Sequence, residues 1–100
     1  MKSMILNNME KRIWKYQLEV VDVQNILMPK GAEILTIQVQ YGEPCLWALV
    51  DPKEEVEKRT IEIFGTGNPI SVDMEMRKYI STFNLLDGGL VFHAFENMCA

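Results

Sequence analysis

Cysteine, histidine and long apolar segments are scarce in this sequence of 100 residues. The two cysteines, Cys45 and Cys99, belong to no CxxC pair and no Cys/His cluster, so we expect neither a zinc site nor a disulfide framework. No run of about 18 apolar residues occurs, and residues 1–11 hold no long apolar signal core. We therefore expect a protein of the reducing cytosol, with no metal, no cofactor and no membrane-spanning segment.

A surplus of basic charge is also missing. The net charge is −4, with five basic and five acidic side chains in residues 1–50, against five and nine in residues 51–100. Polymeric nucleic acids draw most of a protein's affinity from many Lys and Arg contacts to phosphate. Binding to a nucleic-acid polymer is therefore not expected, whereas one small anionic ligand in a local basic pocket remains compatible with this charge.

Catalytic signatures are absent as well. No Gly-x-Ser-x-Gly motif occurs, and the single histidine, His93, falls inside an apolar segment near the end of the chain. A lone histidine in a strand is more often structural or superficial than catalytic. We expect no catalytic residue and no enzyme activity.

Period-two alternation of apolar and polar residues dominates what is present. Hydrophobic residues make up 48% of the chain and charged residues 24%, which is typical of one folded domain. Alternation and turn signals predict strands over Lys11–Val20, Val21–Met28, Ile34–Tyr41, Cys45–Val50, Arg59–Phe64, Tyr79–Leu85 and Leu90–Glu96. The second of these is an apolar stretch for which we expect a short strand.

These segments predict the fold class. We expect a mainly β or α+β protein: a single antiparallel β-rich domain over residues 10–96, built as a sandwich or small barrel of six to seven strands. A flexible leader over residues 1–9 and a loose tail over residues 97–100 complete the division. One or two short helices are expected, at Ser71–Lys78 with Ser71 as cap, and as a single turn or a solvated loop at Asp51–Lys58.

The segment Ile34–Asp51 predicts a central hairpin around Tyr41-Gly42-Glu43-Pro44. In its first strand Leu35, Ile37, Val39 and Tyr41 share one face and Thr36, Gln38 and Gln40 the other. Its second strand is nearly all apolar, which favours burial on both faces. If the two strands pair, Trp47 lies near the glutamines, whose amides are able to read the edge of a nucleobase.

Two further features are candidates for ligand binding. The loop Gly65–Pro69 (GTGNP) is able to turn backbone N–H groups toward a phosphate, although it is neither a Walker loop nor a dinucleotide fingerprint, and a plain turn is the alternative. Trp14, Tyr16 and Trp47 are able to stack on a base, with Arg12 adding charge beside Trp14. Their alternative role is to fill the core or an oligomer interface.

Several motifs together resemble a family of short bacteriophage and prophage proteins. They are KRIWKY at residues 11–16, MPKGA at 28–32 with IL at 34–35, QVQ at 38–40, PCLWALVD at 44–51 and GTGNPI at 65–70. The resemblance covers about residues 10–96. Phages encode small, oligomeric, non-enzymatic proteins similar in size, which act as sponges for the cyclic dinucleotides or cyclic ADP-ribose species of bacterial immunity.

The resemblance implies a protein of the host cytoplasm that sequesters a small nucleotide messenger and so blocks anti-phage defence. A homo-oligomer that associates through apolar strand faces is expected. Expected ligand-binding residues are Arg12, Trp14, Tyr16, Gln38, Gln40, Trp47, Gly65, Thr66, Gly67 and His93. The first alternative is an interaction module that inhibits or caps a host protein, and the second is a small nucleotide hydrolase that uses His93.

Overall fold

Strands form wherever the sequence alternates in period two, and a computed structural model describes them over residues 10–99. Seven strands are present: β1 (Arg12–Gln17), β2 (Val23–Pro29), β3 (Glu33–Gln40), β4 (Glu43–Val50), β5 (Val56–Gly65), β6 (Arg77–Leu85) and β7 (Leu90–Asn97). Each predicted strand has a counterpart, with ends shifted by a few residues. The predicted leader over residues 1–9 lies outside the described residues.

The strands form two antiparallel sheets. One has three strands in the order β1-β4-β3, and the other has four in the order β2-β5-β7-β6. The fold is thus the predicted β-rich domain with seven strands. No helix in the described part of the chain has the length and apolar character needed to span a membrane.

The predicted central hairpin is β3–β4, and its turn is tighter than expected. Gln40 pairs with Glu43, so the loop is only Tyr41 and Gly42, with φ values of 53° and 80°. Two positive φ values in a two-residue loop are typical of a type I′ turn, which matches the twist of the strands. Tyr41 was predicted to end the strand on its apolar face, but it lies in the turn and is 95% exposed.

The core lies between the inner faces of the two sheets. Leu46, Ala48 and Val50 of β4 are fully buried, as is Ile61 of β5. Removing a side chain of that size from water contributes roughly 1.5–3 kcal/mol, so these alternating positions drive the sheets together. The outer residues of β4 are not all buried: Cys45 is, whereas Trp47 is only half-buried.

A seam closes the two sheets along β3 and β6. The Ser81 and Thr36 hydroxyls are 3.0 Å apart, and the Ile37 N–H donates to Ser81 Oγ at 2.8 Å. Both strands carry a bulge beside this contact, at Leu35 and Ile80. The bulge turns Leu35 outward, so that it is 42% exposed rather than on the predicted apolar face with Ile37.

Helical structure is limited to single 3₁₀ turns at Met74–Met76 and Leu86–Gly88 in the described residues. The first lies inside the predicted helix, but its cap is Asp73, which accepts from the Glu75 N–H at 3.0 Å, and not Ser71. The predicted turn after Asp51 is a loop in which Asp51 accepts from the Lys53 N–H at 3.0 Å. The predicted tail is partly ordered, because β7 extends to Asn97.

Two nearly buried arginine–glutamate pairs connect the strands of the larger sheet. Arg59 of β5 donates through Nε and Nη2 to Glu96 of β7, and its Nη1 donates to the Ala32 carbonyl at 2.8 Å. Arg77 of β6 donates to both carboxylate oxygens of Glu62 on β5, at 2.9 and 3.1 Å. Such two-point contacts fix geometry as well as charge.

Candidate functional site

The ten predicted site residues lie at three separate locations in the fold. The inner side of β1 carries Arg12, Trp14 and Tyr16, and the outer face of the three-stranded sheet carries Gln38, Gln40 and Trp47. The outer face of the four-stranded sheet and the loop that follows β5 carry Gly65, Thr66, Gly67 and His93. One chain therefore does not bring the predicted set into one pocket.

Two of the predicted site residues on β1, Arg12 and Tyr16, already make contacts within the chain. Arg12 forms an exposed ion pair with Glu10 at 3.2 Å. Tyr16 packs against the core, its hydroxyl has no hydrogen-bond partner among the described residues, and burial raises its pKa. Trp14 is 39% exposed. Core packing, the alternative role for these aromatic residues, describes Tyr16 well.

The glutamine group has the predicted placement on one face with Trp47. Lys15 Nζ donates to Gln40 Oε1 at 2.7 Å and lies 5.8 Å from the centre of the Trp47 ring, a cation–π contact. The Gln40 side-chain oxygen therefore already accepts a hydrogen bond within the chain. This face of the sheet is a polar surface with one half-buried indole rather than a pocket.

The third group forms a concave site, which we call the outer cleft. It has a volume of about 240 Å³ and lies between the loop and the exposed face of β6 and β7. Its lining consists of Phe64, Gly65, Thr66, Gly67, Asn68, Ile70, Tyr79, His93 and Phe95. The GTGNP loop and the only histidine, predicted independently, therefore meet in one site.

A chain of hydrogen bonds runs along the polar side of the outer cleft. Tyr79 Oη lies 2.7 Å from Thr82 Oγ1, which lies 3.0 Å from His93 Nδ1, and His93 Nε2 lies 2.6 Å from Thr66 Oγ1. The Thr66 hydroxyl has two neighbours for its one proton, which are His93 Nε2 and, at 3.3 Å, the Val91 carbonyl. The direction of each contact in this chain depends on the tautomer of His93, because the three hydroxyls are each able to donate or accept.

Aromatic rings form the apolar side of the outer cleft. The Phe95 ring packs edge-on against Phe64, with centroids 5.8 Å apart, and against Tyr79 at 5.5 Å. Such T-shaped contacts are favourable because a ring's positive edge meets its neighbour's negative face. Tyr79 is 54% exposed, so its ring and hydroxyl are accessible to a ligand.

The loop itself is a well-formed turn rather than an open phosphate nest. The Asn68 N–H donates to the Gly65 carbonyl at 3.1 Å, and the Thr66 N–H donates to the Val91 carbonyl at 3.2 Å. Gly67 has φ of +87°, which explains glycine at this position. Because two of the loop amides are already bound, the plain turn that was the alternative describes the backbone better than a phosphate cradle.

Alternation alone did not identify Tyr79, Phe64 and Phe95 as cleft residues, nor Thr82 as a hydrogen-bond partner of His93. A strict period of two places Tyr79 and Thr82 on opposite faces, but the bulge at Ile80 brings both to the outer face. Phe64 and Phe95 lack polar atoms and resemble ordinary strand residues. The one available signal was the position of Phe64 directly before the glycine loop.

A second cavity lies on the other side of the loop. Its volume is about 320 Å³, and it shares Phe64, Gly65 and Asn68 with the outer cleft. Its remaining lining residues are Asp22, Val23, Glu62, Ile63, Pro69, Ser71 and Val72. The loop is thus a divider between two adjacent concave sites.

Comparison with protein families matches residues 9–99, nearly the whole chain, to a domain of unknown function, DUF7352. The chain belongs to the DUF7352 family. The DUF7352 match covers all of the described residues, and its description assigns no activity. No curated protein and no solved structure matches the chain. For this DUF7352 member, function therefore has to be argued from the geometry of the outer cleft.

Proposed function

We propose that the protein binds a small nucleotide messenger of the cyclic dinucleotide or cyclic ADP-ribose type without turning it over. The outer cleft holds one base of the ligand. The observation that carries this proposal is the convergence of the Gly65–Pro69 loop and His93 on a cleft walled by three aromatic rings. The resemblance to phage proteins supplies the biological role, which is sequestration of an immune messenger in the host cytoplasm.

The chemistry of the outer cleft favours a base that carries an amino group. Stacking against an aromatic side chain contributes roughly 1–3 kcal/mol per base and tolerates any base. Discrimination comes from the exposed Tyr79 hydroxyl, whose oxygen keeps a free lone pair as an acceptor whether it donates to Thr82 or accepts from it. An exocyclic amino group is the complementary donor. The cleft volume of about 240 Å³ suits one base rather than a whole nucleotide.

The sugar–phosphate part of the ligand lies outside the outer cleft in this proposal. No Lys or Arg lines the cleft among the described residues, and two loop amides are committed to intrachain acceptors. Arg12 lies on the other sheet and does not reach this cleft within one chain. For a dinucleotide, the neighbouring 320 Å³ cavity receives the second base, with the loop between the two.

The Thr66–His93 contact also has the spacing of a nucleophile and its base, which is the geometry that a nucleotide hydrolase needs. The hydrogen-bond chain argues against that role. The Val91 carbonyl competes with His93 Nε2 for the single proton of the Thr66 hydroxyl. No carboxylate orients the imidazole in the described residues, since Nδ1 faces Thr82. Binding is therefore the better description.

Isothermal titration against a panel of cyclic dinucleotides, cyclic ADP-ribose isomers and adenosine tests the proposal. We expect one ligand to bind, and Tyr79→Phe to weaken it about tenfold, because one hydrogen bond to the base is lost. Tyr41→Phe is the matched control, since Tyr41 is exposed in the β3–β4 turn and far in sequence from the cleft residues. Absence of heat for every ligand, or equal losses in both variants, would overturn the proposal.

Mass spectrometry of the ligand recovered after denaturation separates binding from hydrolysis. Intact ligand supports sequestration. A hydrolysed product that disappears in His93→Ala would support the hydrolase instead.

A specific observation also favours the protein-interaction alternative. The turns after β3 and β6 display Tyr41, which is 95% exposed, and Leu86, which is 76% exposed, both with positive φ. Exposed bulky residues in a strained backbone conformation contribute neither to folding nor to solubility. Contact with a partner protein would explain why they are present. Stoichiometric capture of one host protein, lost in Tyr41→Asn with Leu86→Asn, supports this alternative, and retention of that protein by the variant contradicts it.

A further inference from the structure

We propose that the chain forms a two-fold dimer in which the free edge of β2 pairs antiparallel with β2 of a second copy. Strand β2 ends the four-stranded sheet, and no strand lies beyond it among the residues that the structure describes. The Ile63 N–H donates to the Asp22 carbonyl at 3.0 Å. Because antiparallel partners alternate, the N–H and C=O groups of Val23, Asn25 and Leu27 point to the open edge.

The other sheet edges are protected against self-pairing. Strands β3 and β6 face each other across the Thr36–Ser81 contact. The free edge of β1 has Lys15 at its centre, so antiparallel self-pairing there would set two ammonium groups opposite each other. Natural edge strands commonly carry such charges, which prevent them from pairing with a strand of another molecule. Strand β2 (VQNILMP) carries no charged side chain, and its proline, Pro29, lies at the end of the strand beyond Val23, Asn25 and Leu27.

The residues of β2 are self-complementary in one register. With the two-fold axis at Asn25, Val23 lies opposite Leu27 of the partner subunit, and the three outward-pointing residues of each copy exchange six backbone hydrogen bonds in total. Val23 and Leu27 lie on the outer face and are 56% and 64% exposed in the single chain. Pairing therefore covers two apolar side chains per copy and brings no like charges together.

Asn25 is suited to the position on the axis. Its Oδ1 accepts from the Thr60 hydroxyl at 2.8 Å, which fixes the amide on the outer face. Its Nδ2 is a donor for the amide oxygen of the same residue in the partner subunit. The sequence predicted association through apolar strand faces, whereas the structure assigns it to a strand edge together with the apolar residues beside it.

Sedimentation equilibrium from about 1 to 100 µM measures the dimer directly, in a range that covers ordinary protein affinities. Leu27→Lys introduces a charge at the edge next to Lys58, its register neighbour on β5, and we expect at least about a tenfold weaker dimer. Ile13→Lys is the matched control: Ile13 is 61% exposed and points outward on the β1 edge. It should leave the dimer unchanged.

Asn25→Pro removes an N–H that points away from β5, so the intrachain ladder stays complete while the dimer is lost. Circular dichroism verifies the fold of each variant. Asn25→Cys in a Cys99→Ser background supplies a test that does not depend on destabilisation. Paired Cα atoms of about 5.5 Å permit a disulfide, so oxidation should link two copies, whereas Ile13→Cys in that background should not.

A wild-type protein that remains monomeric at about 100 µM would overturn the proposal. A dimer that survives both Leu27→Lys and Asn25→Pro, or one that cross-links through Ile13→Cys and not through Asn25→Cys, would also overturn it. These readouts involve no ligand, so their failure leaves the nucleotide proposal separately testable.

Discussion

Glu96→Gln is expected to be among the most destabilising single-atom changes in this protein. Glu96 is the partner of Arg59, with side chains 7% and 16% exposed, and the guanidinium is bound through two of its nitrogens. Arg59 also donates to the Ala32 carbonyl at 2.8 Å, so one side chain connects β5, β7 and the segment that leads into β3. The substitution keeps the shape of Glu96 but removes its charge.

The magnitude follows from what remains around the guanidinium. Removing one partner of a buried ion pair typically costs 3–5 kcal/mol, because the other charge stays in place without compensation. Glu57 Oε2 lies 3.8 Å from Arg59 Nη1 and supplies part of the lost attraction. We therefore expect a loss of roughly 2–4 kcal/mol in the free energy of unfolding, a large fraction of the stability of a domain of this size.

Urea unfolding followed by circular dichroism measures the change. The matched control is Glu10→Gln, since Glu10 pairs with Arg12 at 3.2 Å with side chains about 60% exposed, and exposed pairs contribute little. Its unfolding midpoint should equal that of the wild type. Replacing the pair by Arg59→Met with Glu96→Leu should restore much of the lost stability. If Glu96→Gln has the same unfolding midpoint as Glu10→Gln, the Arg59–Glu96 pair does not stabilise the fold.

Three further predictions concern single side chains. The hydrogen bonds from Arg77, assisted by Asn97 and opposed by burial, hold the pKa of Glu62 below its usual range. The stability that this carboxylate contributes is therefore present at neutral pH and is lost as the pH falls through the folded-state pKa. The urea midpoints of wild type and Glu62→Gln should converge toward about pH 2, and a constant gap between them would contradict this. Tyr16→Phe removes a hydroxyl without a hydrogen-bond partner and should raise the free energy of unfolding by up to about 1 kcal/mol in urea titrations, whereas a loss would show that the hydroxyl is satisfied. Tyr41→Asn relieves a positive φ in the β3–β4 turn and should raise the melting temperature by a few degrees, and a lower value would argue that the exposed ring stabilises the hairpin.

The sequence predicts the strands well because burial of one face imposes a period of two. The β3–β4 hairpin is correct in position, and Leu46, Ala48 and Val50 are all buried on one face, as a period of two requires. Alternation fails at the two bulges, since one extra residue reverses the face of every residue that follows. Both bulges lie beside the Thr36–Ser81 contact, a long-range interaction that no local pattern contains.

The candidate site was predictable in its polar parts and not in its assembly. Glycine spacing singled out the Gly65–Pro69 loop, and His93 was singled out as the only histidine. Their contact depends on β5 and β7 being neighbours in register, with Phe64 paired to His93. The six other predicted residues belong to the three-stranded sheet: Arg12, Trp14, Tyr16, Gln38, Gln40 and Trp47. Which strands adjoin is decided by the whole fold.

Native mass spectrometry of the purified protein, with and without the nucleotide panel, shows whether the chain binds a nucleotide and leaves it intact. It reports the number of chains and the mass of any retained small molecule in one spectrum. We expect a complex that carries an intact nucleotide, and at equal ligand concentration a smaller bound fraction in Tyr79→Phe but not in Tyr41→Phe. A chain that never carries a nucleotide at any ligand concentration, or one that releases only a cleaved product, would contradict it.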